Sequence, residues 1–340
     1  MTHPIPDDLH AQHLILLACS NRLSQIVEAL VELDVATLLA DGPLPIATLA
    51  EKTATHELSL YRLLRCAAAV GIFAEGPQQV FALTPLAEGL VATNPQGVLT
   101  LAQYNRSELT NAPYRHFMHS IRTGEAAFPR AFGMPFLEYL HTHPEVDAGY
   151  DRFMSHWSRQ FAEEELREWG FDRFSSIADL GGGDGYFLSQ VLARFPQMRG
   201  HLIELPWIAE KAQTLLTAEG FADRVTVQHA DLLEQAPPAG FDVYFLKAVL
   251  HDLNDEDART VLGNVRAAIG DSGARLQVVD SVLDPGNGWD HGKFLDLDML
   301  VLHGGRERTL DDWNTLFSDT GFRLVSTPIY HWTLLECEAI

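Results

Sequence analysis

Ser176-Ile-Ala-Asp-Leu-Gly-Gly-Gly-Asp-Gly185, continued by Tyr186-Phe-Leu-Ser-Gln-Val-Leu-Ala-Arg-Phe195, is the stretch that decides the fold. Ile177, Ala178 and Leu180 form a short apolar run of the kind buried in a parallel sheet. Phe187, Val191 and Phe195 recur every four residues with Leu188 and Leu192 beside them, which predicts a helix. Between strand and helix, Gly181, Gly182, Gly183 and Gly185 permit a tight turn and a close approach of a ligand to the backbone. Such a turn is a nucleotide-type site at the carboxyl edge of a doubly wound sheet. On its own it serves NAD, FAD or S-adenosylmethionine, or is an ordinary tight turn.

The following strands narrow the choice. Arg199-Gly-His-Leu-Ile-Glu204 ends in an acid 25 residues after Asp179, placed to accept hydrogen bonds from ribose hydroxyls. Val225-Thr-Val-Gln-His-Ala-Asp231 also ends in an acid, and Phe241-Asp-Val-Tyr-Phe-Leu246 leads into Lys247-Ala-Val-Leu-His-Asp252. Acids at successive strand ends suit an adenosine, whereas Asp179 and Asp184 would repel a pyrophosphate. A sulfonium nucleoside, S-adenosylmethionine, fits best.

Asp179-Leu-Gly-Gly-Gly-Asp-Gly185, Glu204-Leu-Pro206, Ala230-Asp-Leu232, Leu246-Lys-Ala-Val-Leu-His-Asp252 and Gly304-Gly-Arg-Glu-Arg-Thr309 stand in one order. Together they resemble the small-molecule O-methyltransferases, which include plant caffeate-type and bacterial antibiotic-tailoring enzymes. Leu60-Tyr-Arg-Leu-Leu-Arg65, Phe81-Ala-Leu-Thr-Pro-Leu86 and Ser120-Ile-Arg-Thr-Gly124 extend the resemblance over nearly the whole chain. It implies an α/β fold: a Rossmann-like S-adenosylmethionine sheet behind a mostly helical, winged-helix dimerisation domain.

Length and charge agree with that organisation. The 340 residues exceed one ordinary core. They suggest a domain over 1–100, a helical connecting and acceptor-pocket segment over 101–170, and a cofactor domain over 171–340. A formal net charge of −22 argues against nucleic acid and anionic membranes as partners. Cys19, Cys66 and Cys337 are scattered, with neither a disulfide framework nor a zinc spacing. An acidic start and the absence of a long apolar run indicate a cytoplasmic protein. His141 and His143 lack acids at ligand spacing, so no metal is expected.

In the first hundred residues, Leu14, Leu23, Ile26, Val27 and Leu30 make one apolar stripe. Helices near 46–52 and 58–70, then a hairpin from Phe73 to Leu83, give a winged-helix pattern. DNA binding is excluded by charge: four basic residues (Arg22, Lys52, Arg62, Arg65) against ten acidic ones leave −6. The resemblance makes this region a homodimerisation unit whose first helix completes the partner's substrate pocket.

For the chemistry, His251 is the candidate general base, because it follows the fourth strand at the sheet edge. A phenol has a pKa near ~10 and imidazole one near ~6.5, so the base needs strengthening by a carboxylate. The resemblance supplies two flanking acids, Glu307 and, where a longer glutamate is usual, Asp280. It also implies a cofactor site built from Asp179, Gly181, Gly183, Glu204, Leu205, Asp231, Leu232 and Lys247. An acceptor pocket would be walled by Phe153, Met154, Trp157, Met299 and His303. The function implied is methylation of a phenolic hydroxyl on a small aromatic metabolite, such as a polyketide, phenazine or catechol-like acid. The alternative is a relative that binds S-adenosylmethionine but assists a non-methylating reaction. Asp252 and Asp255 read as simple helix-capping acids.

Overall fold

A computed structural model of the chain describes residues 10–94, 98–326 and 331–340, without the side chains of 98, 157, 160–164 and 331. The chain divides into two units, Met1–Asn111 and Ala112–Ile340.

In the first unit the expected single apolar helix is two, His10–Ala18 and Ser20–Glu32, bent by 59° at Cys19. Cys19 has φ −99° and ψ 7°, outside helical geometry, which breaks the stripe. Only the second helix reaches the unit's core, through Leu30 and Val31; Leu14, Ile15, Leu16 and Leu17 are exposed. No single helix among the described residues is long and apolar enough to cross a membrane. Helices Ile46–Lys52 and Glu57–Ala69 pack Leu49, Leu60 and Leu64 around Phe73 and Phe81. Three short strands complete a winged-helix unit: β1 (Leu44–Pro45), β2 (Phe73–Gly76) and β3 (Val80–Leu83). The β2–β3 hairpin pairs Phe73 with Leu83, and β3 also pairs β1.

The second unit opens with helices and then builds one sheet from β4 (Ser176–Leu180), β5 (Arg199–Glu204), β6 (Val225–His229), β7 (Val243–Lys247), β8 (Arg275–Leu283), β9 (Arg308–Thr309), β10 (Phe322–Leu324) and β11 (His331–Ala339). The order is β10-β11-β8-β7-β4-β5-β6, with β9 beside the end of β8. Strands β4 to β8 run parallel, while β11 is antiparallel to both β8 and β10. Because β5 lies on one side of β4 and β7 on the other, the winding direction reverses at the carboxyl end of β4. That crevice is where such sheets bind ligands, and it holds the glycine-rich turn.

Local chemistry sets the flanking helices. Tyr186–Arg194 buries Phe187, Leu188, Val191 and Leu192 against one face. Asp255–Ile269 covers the other face with Val261, Leu262, Val265 and Ile269, and Asn254 caps it by accepting from the Glu256 and Asp257 amides. Thr309 and Asp312 form a reciprocal capping box for Leu310–Asp319, whose Trp313, Leu316 and Phe317 are buried. Strand β8 runs past Asp280 to Leu283, where β9 supplies ladder partners for Val282 and Leu283.

Candidate active site

The glycine-rich turn is shaped around two carboxylates. A Cβ on Gly182 would sit 2.5 Å from Asp179 Oδ2 and 2.9 Å from Leu202, so the backbone lies directly on the Asp179 side chain. At Gly183, with φ +58°, the same position is open space. The Gly183 amide donates to Glu204 Oε2 at 3.1 Å, and the Leu205 amide to Glu204 Oε1 at 2.7 Å. Asp179 is buried, and its Oδ2 has no hydrogen-bond partner among the described residues. Burial first, and then the neighbouring Glu204 charge, push the Asp179 carboxyl up to about 7 against the pull of Lys247. Burial likewise raises Glu204, opposed by its two backbone donors.

The other expected cofactor residues surround this turn. Glu204 and Asp231 stand at the ends of adjacent strands, joined where the Ala230 amide donates to the Glu204 carbonyl at 3.0 Å. Asp231 Oδ1 accepts from the Leu233 amide, and the Leu232 carbonyl accepts from Asn264. Lys247 turns inward: its ammonium is 4.0 Å from Glu165 and lies over the Phe187 and Trp332 rings at 5.5 and 5.6 Å. Burial lowers its pKa, and the acids Glu165, Asp179 and Asp280 oppose that shift.

His251 occupies a one-turn 3-10 helix, Leu250–Asp252, reached through Ala248 in the left-handed region at φ +55°. An L residue holds that conformation only where its surroundings enforce it. His251 Nδ1 is 2.7 Å from Glu307 Oε1. A carboxylate accepts, so Nδ1 carries a proton, and in the neutral imidazole it is Nε2 that presents its lone pair. Asp280 Oδ1 is 3.7 Å from the same Nδ1, beyond hydrogen-bonding distance. The shorter side chain thus acts on His251 by charge alone. Both Asp280 oxygens are buried without a hydrogen-bond partner among the described residues. Burial works to lower the His251 pKa, but the Asp280 and Glu307 carboxylates together outweigh it and raise it. Burial and the Glu307 charge raise Asp280 in turn, with His251 opposing.

Asp252 is not the helix cap, a role taken by Asn254. Its Oδ1 stands 3.7 Å from His251 Nε2 and 3.7 Å from His303 Nε2, bridging two imidazoles. His303 ends the helix Gly292–Leu302, which also carries the buried Met299, and its ring lies 4.5 Å from Phe136. Burial lowers the His303 pKa. Phe153 and Met154 are half-buried on the helix Pro144–Glu168; the Trp157 side chain lies outside the described residues. That helix is tied to the turn by Ser155, whose hydroxyl donates to Asp184 Oδ2 at 3.0 Å.

Sequence reasoning missed Asp255 and Arg308. Asp255 receives Arg306 Nη1 at 3.1 Å and Arg308 Nη2 at 2.9 Å, so it is an ion-pair hub besides starting its helix. Two adjacent arginines around Glu307 were the available signal.

Comparison with known proteins agrees with the geometry. Residues 114–323 match the O-methyltransferase domain family, and residues 15–93 match the O-methyltransferase dimerisation domain. A phenazine O-methyltransferase of Lysobacter antibioticus is 36% identical over 302 residues, covering 89% of this chain and 88% of that protein. The structure of the mitomycin 7-O-methyltransferase MmcR superposes with a TM-score of 0.82 at 33% identity, covering 97% of this chain and 98% of that one. The neocarzinostatin-biosynthesis O-methyltransferase NcsB1, solved with S-adenosylmethionine and 2-hydroxy-5-methyl naphthoic acid, gives 0.78 at 30% identity over 94% of this chain and 96% of that one. With both of its domains represented in order, this chain belongs to the O-methyltransferase family.

Proposed function

We propose that the chain uses S-adenosylmethionine to methylate a phenolic hydroxyl of a small aromatic metabolite, with His251 as general base. The observation that carries this reading is the 2.7 Å contact between His251 Nδ1 and buried Glu307, beside a glycine turn that rests on two acids.

The turn fits the cofactor. Asp179 Oδ2 is a buried acceptor in want of a cation, Gly183 leaves open space, and Glu204 and Asp231 are strand-end acids for ribose and adenine. Asp179, Gly181, Gly183, Glu204, Leu205, Asp231, Leu232 and Lys247 form this cofactor site. When bound, S-adenosylmethionine supplies an electrophilic methyl group. The protein's part is to orient the acceptor and take its proton.

Glu307 fixes the tautomer in which Nε2 is free, and the paired carboxylates bring the imidazole pKa towards that of a phenol, where proton transfer is most nearly balanced. Phe153, Met154, Met299 and His303 wall the acceptor, with Trp157 assigned to the same pocket from the sequence alone. Thioether and aromatic side chains on both sides of a planar ring favour that ring over an aliphatic alcohol. The segment before β4 serves this pocket, the amino-terminal unit makes the homodimer, and the three unpaired cysteines suit the cytoplasm.

Incubation with isotopically labelled S-adenosylmethionine and a panel of phenols, hydroxynaphthoates and hydroxyphenazines tests the reading by mass spectrometry. Label on an acceptor oxygen is expected. Cofactor binding without transfer to any of them would overturn it in favour of a non-methylating role.

A further inference from the structure

Arg308 is fully buried. A buried cation persists only where partners offset its lost hydration. Its Nη1 donates to the Leu250 carbonyl at 2.7 Å and its Nη2 to the Leu253 carbonyl at 3.0 Å. Nε and Nη2 both donate to Asp255 Oδ1, at 3.1 and 2.9 Å. Leu250 and Leu253 flank His251, so the fork grips both sides of the turn that carries the base. The backbone of Arg308 belongs to β9 and pairs with Val282, two residues beyond Asp280; Glu307 immediately precedes it. The guanidinium also lies 5.3 Å from the Trp313 ring, whose indole donates to the Ser281 carbonyl at 3.2 Å.

One residue, through its side chain and its backbone, therefore joins the three segments that carry His251, Glu307 and Asp280. The His251 turn needs such a restraint, because it is entered through the left-handed Ala248. Only a planar fork satisfies two carbonyls and a carboxylate together; a lysine ammonium is a point donor on a flexible stem.

We propose that Arg308, with Asp255 as its counter-ion, is a positioning residue that keeps the His251 turn in register with Glu307. The proposal rests on His251 being the base. Displacement of the turn by about 1 Å would forfeit the Nδ1 contact and the tautomer it enforces.

The test uses full-length protein carrying Arg308→Lys or Asp255→Asn, each alone and combined with His251→Ala, with folding checked by circular dichroism. Arg308→Lys is expected to lower kcat on the order of 10–100-fold, with the acceptor KM and cofactor Kd within about twofold of wild type. The His251 Nδ1 proton resonance, expected downfield in wild type from the 2.7 Å contact, should broaden or move. In the His251→Ala background Arg308→Lys should cost less than about twofold, since there is no base left to position. An equal loss in both backgrounds, or wild-type kcat in both single variants, overturns the proposal. Wild-type turnover in His251→Ala would instead remove the general-base reading; an unchanged Nδ1 resonance in Arg308→Lys then decides against Arg308 separately. If Arg308→Lys does not fold, Asp255→Asn, on a half-exposed side chain, supports the same comparisons.

Discussion

Glu204 holds the amide of Gly183, 3.1 Å from its Oε2, so the acid at the end of β5 fixes the glycine-rich turn. With Glu204 as the proposed ribose acceptor, Glu204→Ala removes that acceptor and releases the tether together. Loss of about 1.5–3 kcal/mol per charge-assisted bond is expected in cofactor affinity. Titration calorimetry is the check, and an unchanged Kd would remove Glu204 from the site.

His251→Ala is expected to lower turnover by about 10²–10⁴-fold with little change in cofactor Kd. The loss should shrink for an acceptor with an electron-poor ring, which arrives partly ionised, and raising the pH should rescue part of it. Wild-type turnover by the variant on a weakly acidic phenol at pH 7 would rule out His251 as the base.

The pH dependence has a definite sign. The reactive imidazole is neutral at Nε2, and its pKa is raised, so kcat/KM should climb with pH through a limb above the ordinary imidazole value of ~6.5. Glu307→Gln removes one of the carboxylates that raises it. The limb should then move to lower pH, while the plateau falls because the base is weaker and its tautomer is no longer enforced. A limb that stays in place would show that Glu307 does not act on the titrating group.

Gly305 is where the Glu307 segment crosses the His251 turn. A Cβ there would collide with the His251 carbonyl oxygen and the Asp252 backbone, neither of which can rotate away. Gly305→Ala should cost about 1–3 kcal/mol of stability, as overpacking does, and impair turnover with it. Thermal melts with an unchanged midpoint would show that the two segments separate more easily than their packing implies.

The helix His10–Ala18 buries none of its own residues within its unit, and Leu14, Ile15 and Leu17 are each more than half exposed. Light scattering should therefore give a dimer, which Leu14→Glu with Leu17→Glu shifts towards monomer. A monomeric wild type at micromolar concentration would contradict it.

Much of this was legible in the sequence because it is encoded locally. The strand-turn-helix at Ser176–Arg194, the helix Asp255–Ile269 and the Thr309 cap follow from apolar period, glycine and capping chemistry within a few residues. What escaped depends on distant partners. Strand β9 exists only because β8 lies beside it, and two residues carry no strand signal. Asp255 reads as a first-turn acid until folding brings Arg308 to it from 53 positions away. Asp252 reads as a cap because Asn254, two residues on, wins that role only through its geometry. The break at Cys19 falls between Leu14 and Leu23 of the apolar stripe, where no glycine or proline marks it.

Asp179, buried beneath the turn with its pKa near 7, has a further consequence. With its pKa raised this far, the carboxyl of the unliganded site carries part of a proton near neutral pH, and a cationic ligand arriving over it favours the ionised form. Binding then expels that fraction of a proton into the solvent. The observed heat of binding should differ between phosphate and Tris by the difference in their ionisation heats times the protons released, and affinity should rise with pH through neutrality. Identical heats in the two buffers would mean that the charge is already settled before the ligand arrives.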